Sequence, residues 1–388
     1  METSAASHRR WRDPRQIMAS WGAAASVDRD LLQFRSVGRW WEFLDRSGLT
    51  LLVGREYEHL VVALSIWQGR PHVSYLPLPH PSGIAYDSPR GLLHVASTRN
   101  PNQVFTLAPI TQVLPLRPPA PSADLSTFRP LAPRSTTIYP GSLYLHDLAM
   151  IGGRLHGAAA GRNTIVALDR LSRFHDVWWP RSIAPAGRPL TDRNYIQLNS
   201  IAAGTTLDAS CFTASSVAPS TRRPGHRNYP VNRRGIVLAG RSGEPIAFGL
   251  TRPHSARFWA DSLLVANSGY GELVATRAGH AGFDVVARLP GWTRGLAVVE
   301  DAAVVGTSRI LPGFEQYAPG LDPARAVCGL HAVRLTTAEV IGSLLWPAGD
   351  QIFAIEVVPR AWSHGFLHAA RQSAPHLDPP RILFAYSP

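Results

Sequence analysis

Between Thr50 and Pro359 the chain is a succession of short apolar runs, each ended by glycine, proline, asparagine or aspartate. Examples are residues 51–53, 60–64, 92–96, 263–266 and 303–306. Alternating or continuous apolar runs of this length, bounded by turn residues, predict β-strands, and apolar residues at helical spacing are almost absent from this region. The pattern therefore indicates an all-β protein.

A phrase of two strands recurs along the chain. Each copy has a polar residue or histidine, a short apolar strand, a turn and a second apolar strand that ends in a small or polar residue. The copies begin at Pro81, His146, Asn199, His254 and Thr293. A repeat of about 40 to 65 residues with about four strands per unit is typical of the blades of a β-propeller.

The count of strands predicts six blades. Five complete units leave three N-terminal strands, at residues 51–53, 60–64 and 72–76, and one C-terminal strand at residues 352–357. Together they supply a sixth blade, and closing the ring in this way removes exposed sheet edges. We predict a six-bladed β-propeller, with five or seven blades as the alternatives.

The remaining parts of the chain flank this ring. Residues 1–48 form an N-terminal extension, in which the apolar spacing between Asp28 and Ser47 predicts a short helix packed on the rim. Residues 49–360 form the propeller, and residues 361–388 form a C-terminal tail.

Composition and charge narrow the function classes. The 388 residues are 45% hydrophobic and 17% charged, which is typical of a globular protein, and the formal net charge is +12. The chain contains no lysine, so all 39 basic residues are arginine, a bias that a GC-rich coding sequence produces without selection for polyanions. We therefore expect no nucleic-acid partner. The missing lysine also excludes Schiff-base enzymes, pyridoxal-phosphate enzymes and phosphate-loop lysines.

Nothing in the sequence indicates secretion or a membrane. Cys211 and Cys328 are too few and too far apart to predict a disulfide framework or a zinc site. The arginines near the N-terminus are not followed by an apolar segment, and no stretch reaches the roughly 18 apolar residues of a membrane span. We expect a cytoplasmic protein.

The candidate site lies where the inner strands begin. Because the innermost strand of every blade lines the central channel, aligned polar residues at these starts converge on one axis. The repeats predict a ligand site formed by His146, Asp147, Asn199, His254, Arg294 and Glu356. We expect a small polar or anionic molecule, or a partner peptide, at this channel mouth.

The same alignment predicts a possible divalent metal site. The candidate ligands are His80, His146, His254 and Glu356, because imidazole and carboxylate groups bind zinc, iron and manganese. The chain has no local metal motif such as His-Glu-x-x-His, so this prediction depends on the alignment alone. The alternative is that each polar residue caps its strand or bonds the neighbouring blade.

Arginines favour an anionic ligand. Arg294, Arg257 and Arg309 flank the predicted mouth, and a guanidinium group suits a carboxylate or phosphate. In the alternative, Arg294 forms a structural ion pair with Asp147 or Glu356. The segment 220–235 carries five arginines and is interpreted as a lid over the mouth, with a solvated surface loop as the alternative.

Two functional hypotheses follow from this ring. The first is a binding propeller, and the second is a metal-assisted hydrolase, lyase or isomerase. The chain has no Gly-x-Ser-x-Gly motif and no glycine-rich phosphate loop before a helix, so serine hydrolases and nucleotide cofactors are not predicted. We favour the binding hypothesis, because no catalytic motif can be recognised independently of the repeat alignment.

Four phrases carry a family resemblance: RPHSAR from Arg252, NSGYGE from Asn267, LPGWTRGL from Leu289 and QIFAIE from Gln351. In this order they resemble a bacterial family of uncharacterised conserved hypothetical proteins, classed as a domain of unknown function. The resemblance implies a propeller-like fold and brings no reaction, substrate or site residue. The phrase PSGIAYD from Pro81 resembles strand starts in gluconolactonase-like and NHL-type propellers.

Overall fold

Six antiparallel sheets form the body of the protein in a computed structural model. The structure describes residues 22–25, 27–99, 102–110, 112–113, 127–216, 229–277, 282–369 and 386–387. The innermost strands of the six sheets contact each other in cyclic order, and the last contacts the first. The chain is therefore a six-bladed β-propeller, which confirms the predicted fold class.

The first five blades follow one another along the chain, and each is numbered here from its innermost strand outward. Blade 1 consists of Pro81–Asp87, Leu92–Ser97, Asn102–Pro109 and Leu131–Tyr139. Blade 2 consists of Leu145–Ile151, Arg154–Ala159, Thr164–Leu168 and Phe174–Trp178. Blade 3 consists of Leu198–Ala202, Cys211–Ala214, Gly235–Ala239 and Pro245–Leu250. Blade 4 consists of Pro253–Trp259, Ser262–Asn267, Glu272–Arg277 and Asp284–Arg288. Blade 5 consists of Trp292–Val299, Ala302–Ser308, Cys328–Arg334 and Val340–Trp346, with Arg35–Gly38 as a fifth, outer strand.

The closing blade is built from both ends of the sequence. Its strands are Ala354–Pro359, Leu49–Arg55, Leu60–Trp67, Arg70–Pro77 and, at the edge, His368–Ala369. The innermost strand pairs antiparallel with the second, and Ile355 lies opposite Val53 in this register. This pairing joins the two ends of the ring, so no inner edge is left open.

The remaining regular elements are short. Gln112–Val113 pairs with Tyr386–Ser387. The 3₁₀ turns are Arg29–Leu32, Ser88–Arg90, Arg181–Ile183, Ser268–Tyr270, Glu315–Tyr317 and Pro323–Arg325. None of the helices in the described ranges is long and apolar enough to cross a membrane.

The helix predicted before the ring is shorter than its apolar spacing indicates. Within the predicted segment from Asp28 to Ser47, only Trp40–Ser47 is α-helical, with Trp40, Phe43 and Leu44 buried on one face at i, i+3 and i+4. The preceding strand ends at Gly38, whose φ of +65° and close approach to the Ile341 carbonyl would strain any other residue. This glycine separates the strand from the helix and breaks the single helix that the pattern predicts.

The hydrophobic core lies between the blades. One cluster joins blade 5 to the closing blade and includes Val304, Leu344, Leu51 and Ile355, all nearly inaccessible to solvent. Residues beyond the closing strand also contribute, since Phe366 packs in the cluster between the closing blade and blade 1. Residues 361–369, which the strand pattern assigns to a tail, thus lie against the propeller.

Candidate functional site

One end of the central channel opens into a cavity of about 460 Å³. Its walls come from the starts of inner strands and from the loops that join the blades at this end. The charged groups in the lining are two acids, Glu56 and Asp192, and five arginines: Arg99, Arg193, Arg252, Arg294 and Arg309. The cavity is therefore electropositive.

Aromatic side chains form much of the remaining wall. They are Tyr57, Tyr144, Trp292, Phe314, Tyr317 and Phe353. Two of the arginines stack on them: the Arg294 guanidinium carbon lies 3.5 Å from the Phe353 ring centre, and that of Arg252 lies 4.7 Å from the Tyr317 ring centre. Stacking fixes the plane of a guanidinium group and leaves its N–H edges available for hydrogen bonds.

Arg294 lies in the cavity wall at the start of the inner strand of blade 5. Its Nε donates to His254 Nε2 at 3.2 Å, and its Nη1 donates to the Gln351 side-chain oxygen at 2.8 Å when that amide is oriented to satisfy both of its neighbours. Burial lowers the pKa of Arg294 to about 10, with Glu56 opposing the shift, so the group remains charged at pH 7. Among the described residues, no carboxylate lies within ion-pair distance of it.

Arg252 is the second arginine of the mouth without an acid partner among the described residues. It donates to Gln197 Oε1. Burial lowers its pKa, and nearby tyrosines, Tyr229 and Tyr317 first, oppose that effect. Its backbone has a φ of +56°, a conformation that side chains rarely adopt and that often marks functional sites.

Glu56 organises one side of the cavity. This carboxylate, only 4% exposed, accepts from Thr98 Oγ1 at 2.6 Å and from the reoriented Gln351 amide at 2.9 Å, and it lies 3.6 Å from Arg99 Nε. The acid is thus paired with Arg99, while Gln351 stands between it and Arg294.

His254 is a positioning residue for Arg294. Because Arg294 Nε can only donate, His254 Nε2 must accept, and the neutral ring then carries its proton on Nδ1, which donates to Ser255 Oγ at 2.8 Å. Burial, followed by Arg294, holds the pKa of His254 well below its usual range. The imidazole therefore stays neutral and acts as a fixed acceptor below the arginine.

His146 also lines the cavity and is 7% exposed. Its ring centre lies 6.1 Å from that of His254 and 5.6 Å from that of Phe353. Burial and the charges of Arg294, Arg252 and Arg99 hold its pKa well below the usual range. The structure thus places His146, His254 and Arg294, three of the predicted ligand residues, side by side.

The proposed metal ligands do not form one cluster. His80 meets His59 edge to face with ring centres 4.3 Å apart and lies 4.0 Å from Glu56, outside the cavity wall. His254 is already bonded to Arg294, whose cation occupies the side of the ring where a metal would bind. The described residues contain no group of three or more histidine, cysteine or acidic side chains placed to hold a metal ion.

Asp147, Arg257 and Glu356 form a second group, farther along the inner strands than the mouth; we call it the inner group. Asp147 Oδ2 lies 3.4 Å from Arg257 Nη1 and accepts from the Ile201 amide at 3.0 Å. Glu356 accepts from the Val357 amide, and burial raises its pKa to about 7 despite the charge of Arg257. Arg257 was expected at the mouth, but it is the ion-pair partner of Asp147 and does not line the cavity.

Several aligned positions join one blade to the next. Ser82 Oγ donates to the Leu145 carbonyl at 2.8 Å, and the hydroxyls of Ser200 and Ser255 accept from backbone amides of the following blade at 3.0 and 2.9 Å. Asn199 likewise donates to the Pro253 carbonyl at 2.8 Å. At these positions the bridging alternative holds, and Asn199 lies outside the cavity lining.

The arginine-rich segment 220–235 falls largely outside the described residues, so its interpretation as a lid is untested. Its described end packs beside the mouth, where Tyr229 and Val231 form a buried cluster with Tyr317.

Repeat alignment missed several residues of the mouth. Glu56, Arg99 and Tyr317 come from loops between the second and third strands of their blades, and Arg252 and Gln351 precede inner strands. Arg252 and Gln351 begin two of the phrases that carry the family resemblance. The family resemblance of these two phrases is the sequence feature that points to Arg252 and Gln351.

Comparison with protein-family models finds a match over most of the chain. A family model described as "Domain of unknown function (DUF4915)" matches residues 38–365. None of the curated proteins matches this chain.

Three solved structures show similar chains. A chain from a nidogen/laminin complex is 10% identical with a TM-score of 0.52, and the match covers 80% of this chain and 98% of that one. A protein of unknown function from Bacteroides caccae is 10% identical with a TM-score of 0.47, covering 80% and 98%. A gluconolactonase from Xanthomonas campestris is 13% identical with a TM-score of 0.46, covering 77% and 86%. The likeness to the chain from the nidogen/laminin complex, whose TM-score exceeds 0.5, concerns the fold alone at 10% identity.

Proposed function

Since the chain belongs to the DUF4915 family, whose description assigns no activity, we propose a function from the geometry of the mouth: the propeller binds a small organic anion there. The observation that carries this proposal is the pair Arg252 and Arg294. Both are stacked cations in the wall of a concave cavity, and neither has a carboxylate partner among the described residues.

Arg252 and Arg294 are half-buried, and a cation that is largely removed from water is costly unless it is paired. The groups that hydrogen-bond to these two arginines or stack on them are neutral: Gln351, Gln197, a neutral His254 and aromatic rings. A carboxylate that enters the cavity would supply the missing charge and accept from the free N–H edges of Arg294, which donates only two hydrogen bonds among the described residues. The aromatic wall suits an anion with an apolar body.

The test is titration calorimetry with benzoate, citrate and inorganic phosphate on the full chain and on Arg294→Met. Truncating a buried charged contact costs about 2–5 kcal/mol, so the variant should bind the preferred anion at least about 30-fold more weakly. Arg181→Met is the matched control, because it removes the same charge from a side chain that is 72% exposed outside the cavity.

The expected result is binding by the unmodified chain and by Arg181→Met, and loss in Arg294→Met with an unchanged far-ultraviolet spectrum. Equal affinity of all three proteins, or no binding of any of the anions, would overturn the proposal.

A further inference from the structure

His146 is a polar side chain of the mouth that has no role in the proposed binding of an anion by Arg252 and Arg294. It lines the cavity, yet neither ring nitrogen has a hydrogen-bond partner among the described residues, and Nδ1 is fully enclosed. Buried polar groups are bonded in the large majority of cases, and one left without a partner costs about 1–3 kcal/mol.

Two buried histidines away from the cavity, His331 and His94, follow that rule. His331, which is 4% exposed, bonds to Thr307 Oγ1 at 3.0 Å and to Ser343 Oγ at 2.8 Å. His94 bonds to Thr106 Oγ1 at 3.0 Å. Three histidines have an enclosed ring nitrogen without a partner among the described residues, His72, His80 and His146. Of these three only His146 lines the cavity, so a molecule bound there can bond to its ring.

The surroundings of His146 restrict that partner. Arg294, Arg252 and burial keep the imidazole neutral, so it offers one N–H donor and one nitrogen acceptor. A cationic group is disfavoured by the five arginines of the lining. A hydroxyl group matches the imidazole, because it both donates and accepts.

A ligand hydroxyl bonded to His146 would lie close to a carboxylate bound by Arg294. Phe353 contacts both groups: its ring centre lies 3.5 Å from the Arg294 guanidinium carbon and 5.6 Å from the ring centre of His146. A single small molecule can therefore reach Arg294 and His146 together.

We propose that the ligand class is a hydroxycarboxylic acid, whose carboxylate binds Arg294 and Arg252 while a hydroxyl group hydrogen-bonds to His146. This inference rests on the proposed anion binding and adds the part of the ligand that His146 recognises. A ring-bearing hydroxy acid suits the six aromatic side chains of the lining.

The experiment compares benzoate with 2-, 3- and 4-hydroxybenzoate by titration calorimetry, on the unmodified chain and on His146→Phe. At least one hydroxybenzoate should bind the unmodified chain about tenfold or more tightly than benzoate does, since the hydroxyl bonds to His146 Nε2, the ring nitrogen that is not enclosed and has no partner among the described residues. In His146→Phe the four ligands should bind alike. His175→Phe, an exposed histidine on the outer strand of blade 2, is the control and should keep the preference.

Each outcome decides between the two proposals. Equal binding of all four ligands by the unmodified chain, or a preference that survives in His146→Phe, overturns the hydroxy-acid inference and leaves anion binding in place. Failure of all four to bind contradicts both. If His146→Phe does not fold, His146→Gln replaces it; a preference that is unchanged in this variant overturns the assignment to the imidazole, and a reduced one supports it.

Discussion

The arginines of the inner group and those of the mouth have different partners. In the inner group, Arg257 lies 3.4 Å from Asp147, which also accepts from the Ile201 amide of the next blade. At the mouth, Arg294 and Arg252 have only neutral neighbours within hydrogen-bond distance among the described residues. Arg294 of the mouth and Arg257 of the inner group both lie on inner strands, so a position on an inner strand does not by itself explain the difference.

The difference indicates separate roles. Asp147 of blade 2 and Arg257 of blade 4 pair with each other, and both also bond to Ile201 of blade 3, so the pair joins three blades. A buried ion pair stabilises a fold when its remaining atoms are also bonded in this way. The arginines of the mouth lack such a partner and lie at the cavity. Substitutions in the inner group should therefore affect stability, and substitutions in the mouth should affect binding.

The largest stability effect is expected for Asp147→Ala. The substitution leaves the Arg257 guanidinium without its acid and the Ile201 amide without its acceptor, and the free energy of unfolding should fall by about 3 kcal/mol. Urea denaturation followed by tryptophan fluorescence measures this change. In the same assay Arg294→Met should lose less than about 1 kcal/mol, since it removes a charge that has no acid partner. Similar losses in both variants would refute the division of roles.

Buried histidines give a smaller, pH-dependent effect. Burial lowers the pKa of His331 to about 4, while the unfolded chain titrates near 6.5. Between these values the unfolded state binds more protons than the folded state, so stability falls as the pH decreases below 6.5. From pH 7 to pH 5 this single group should cost up to about 2 kcal/mol.

Urea titrations at pH 7 and pH 5 on the unmodified chain and on His331→Gln test this expectation. The glutamine variant should lose about 2 kcal/mol less between the two pH values, because its amide does not titrate. A loss of the same size in both proteins would show that His331 is not held neutral.

The smallest effect on stability is expected for Glu356→Gln. Glu356 destabilises the fold as the pH rises, whereas His331 destabilises it as the pH falls. Burial raises the pKa of Glu356 to about 7 from 4.5, so ionisation of this carboxyl disfavours the folded state as the pH rises through that window. At pH 8 the variant should be more stable than the unmodified chain by about 1 kcal/mol, a value reduced for partial exposure and for the nearby Arg257. At pH 4, below both values, the two should unfold alike, and a variant that is less stable at pH 8 would contradict the shift.

The sequence predicts the ring well, for a physical reason. Propeller blades repeat the same alternation of strand and turn, so the copies that begin at Pro81, His146, Asn199, His254 and Thr293 reveal the inner strands of five successive blades. The predicted helix from Asp28 to Ser47 is too long, because Arg35–Gly38 forms a strand at the edge of blade 5. Local apolar spacing cannot reveal that pairing.

The candidate site could be predicted only in part. Alignment identifies Arg294, His146 and His254, because they begin inner strands. It does not separate residues of the cavity from those of the inner group, since one or two positions along a strand decide between them, as His146 and Asp147 show. Glu56 and Tyr317 lie in loops that do not repeat, so periodicity carries no information about them.

Anomalous diffraction from crystals of the full chain grown with 4-bromobenzoate is the most direct test of anion binding at the mouth. The carboxylate should lie against the Arg294 and Arg252 guanidinium groups, with the bromine peak inside the cavity. The peak should be absent from crystals of Arg294→Met prepared in the same way. Bromine peaks only on the outer surface, or an occupied mouth in both proteins, would contradict the claim that these two arginines form the anion site.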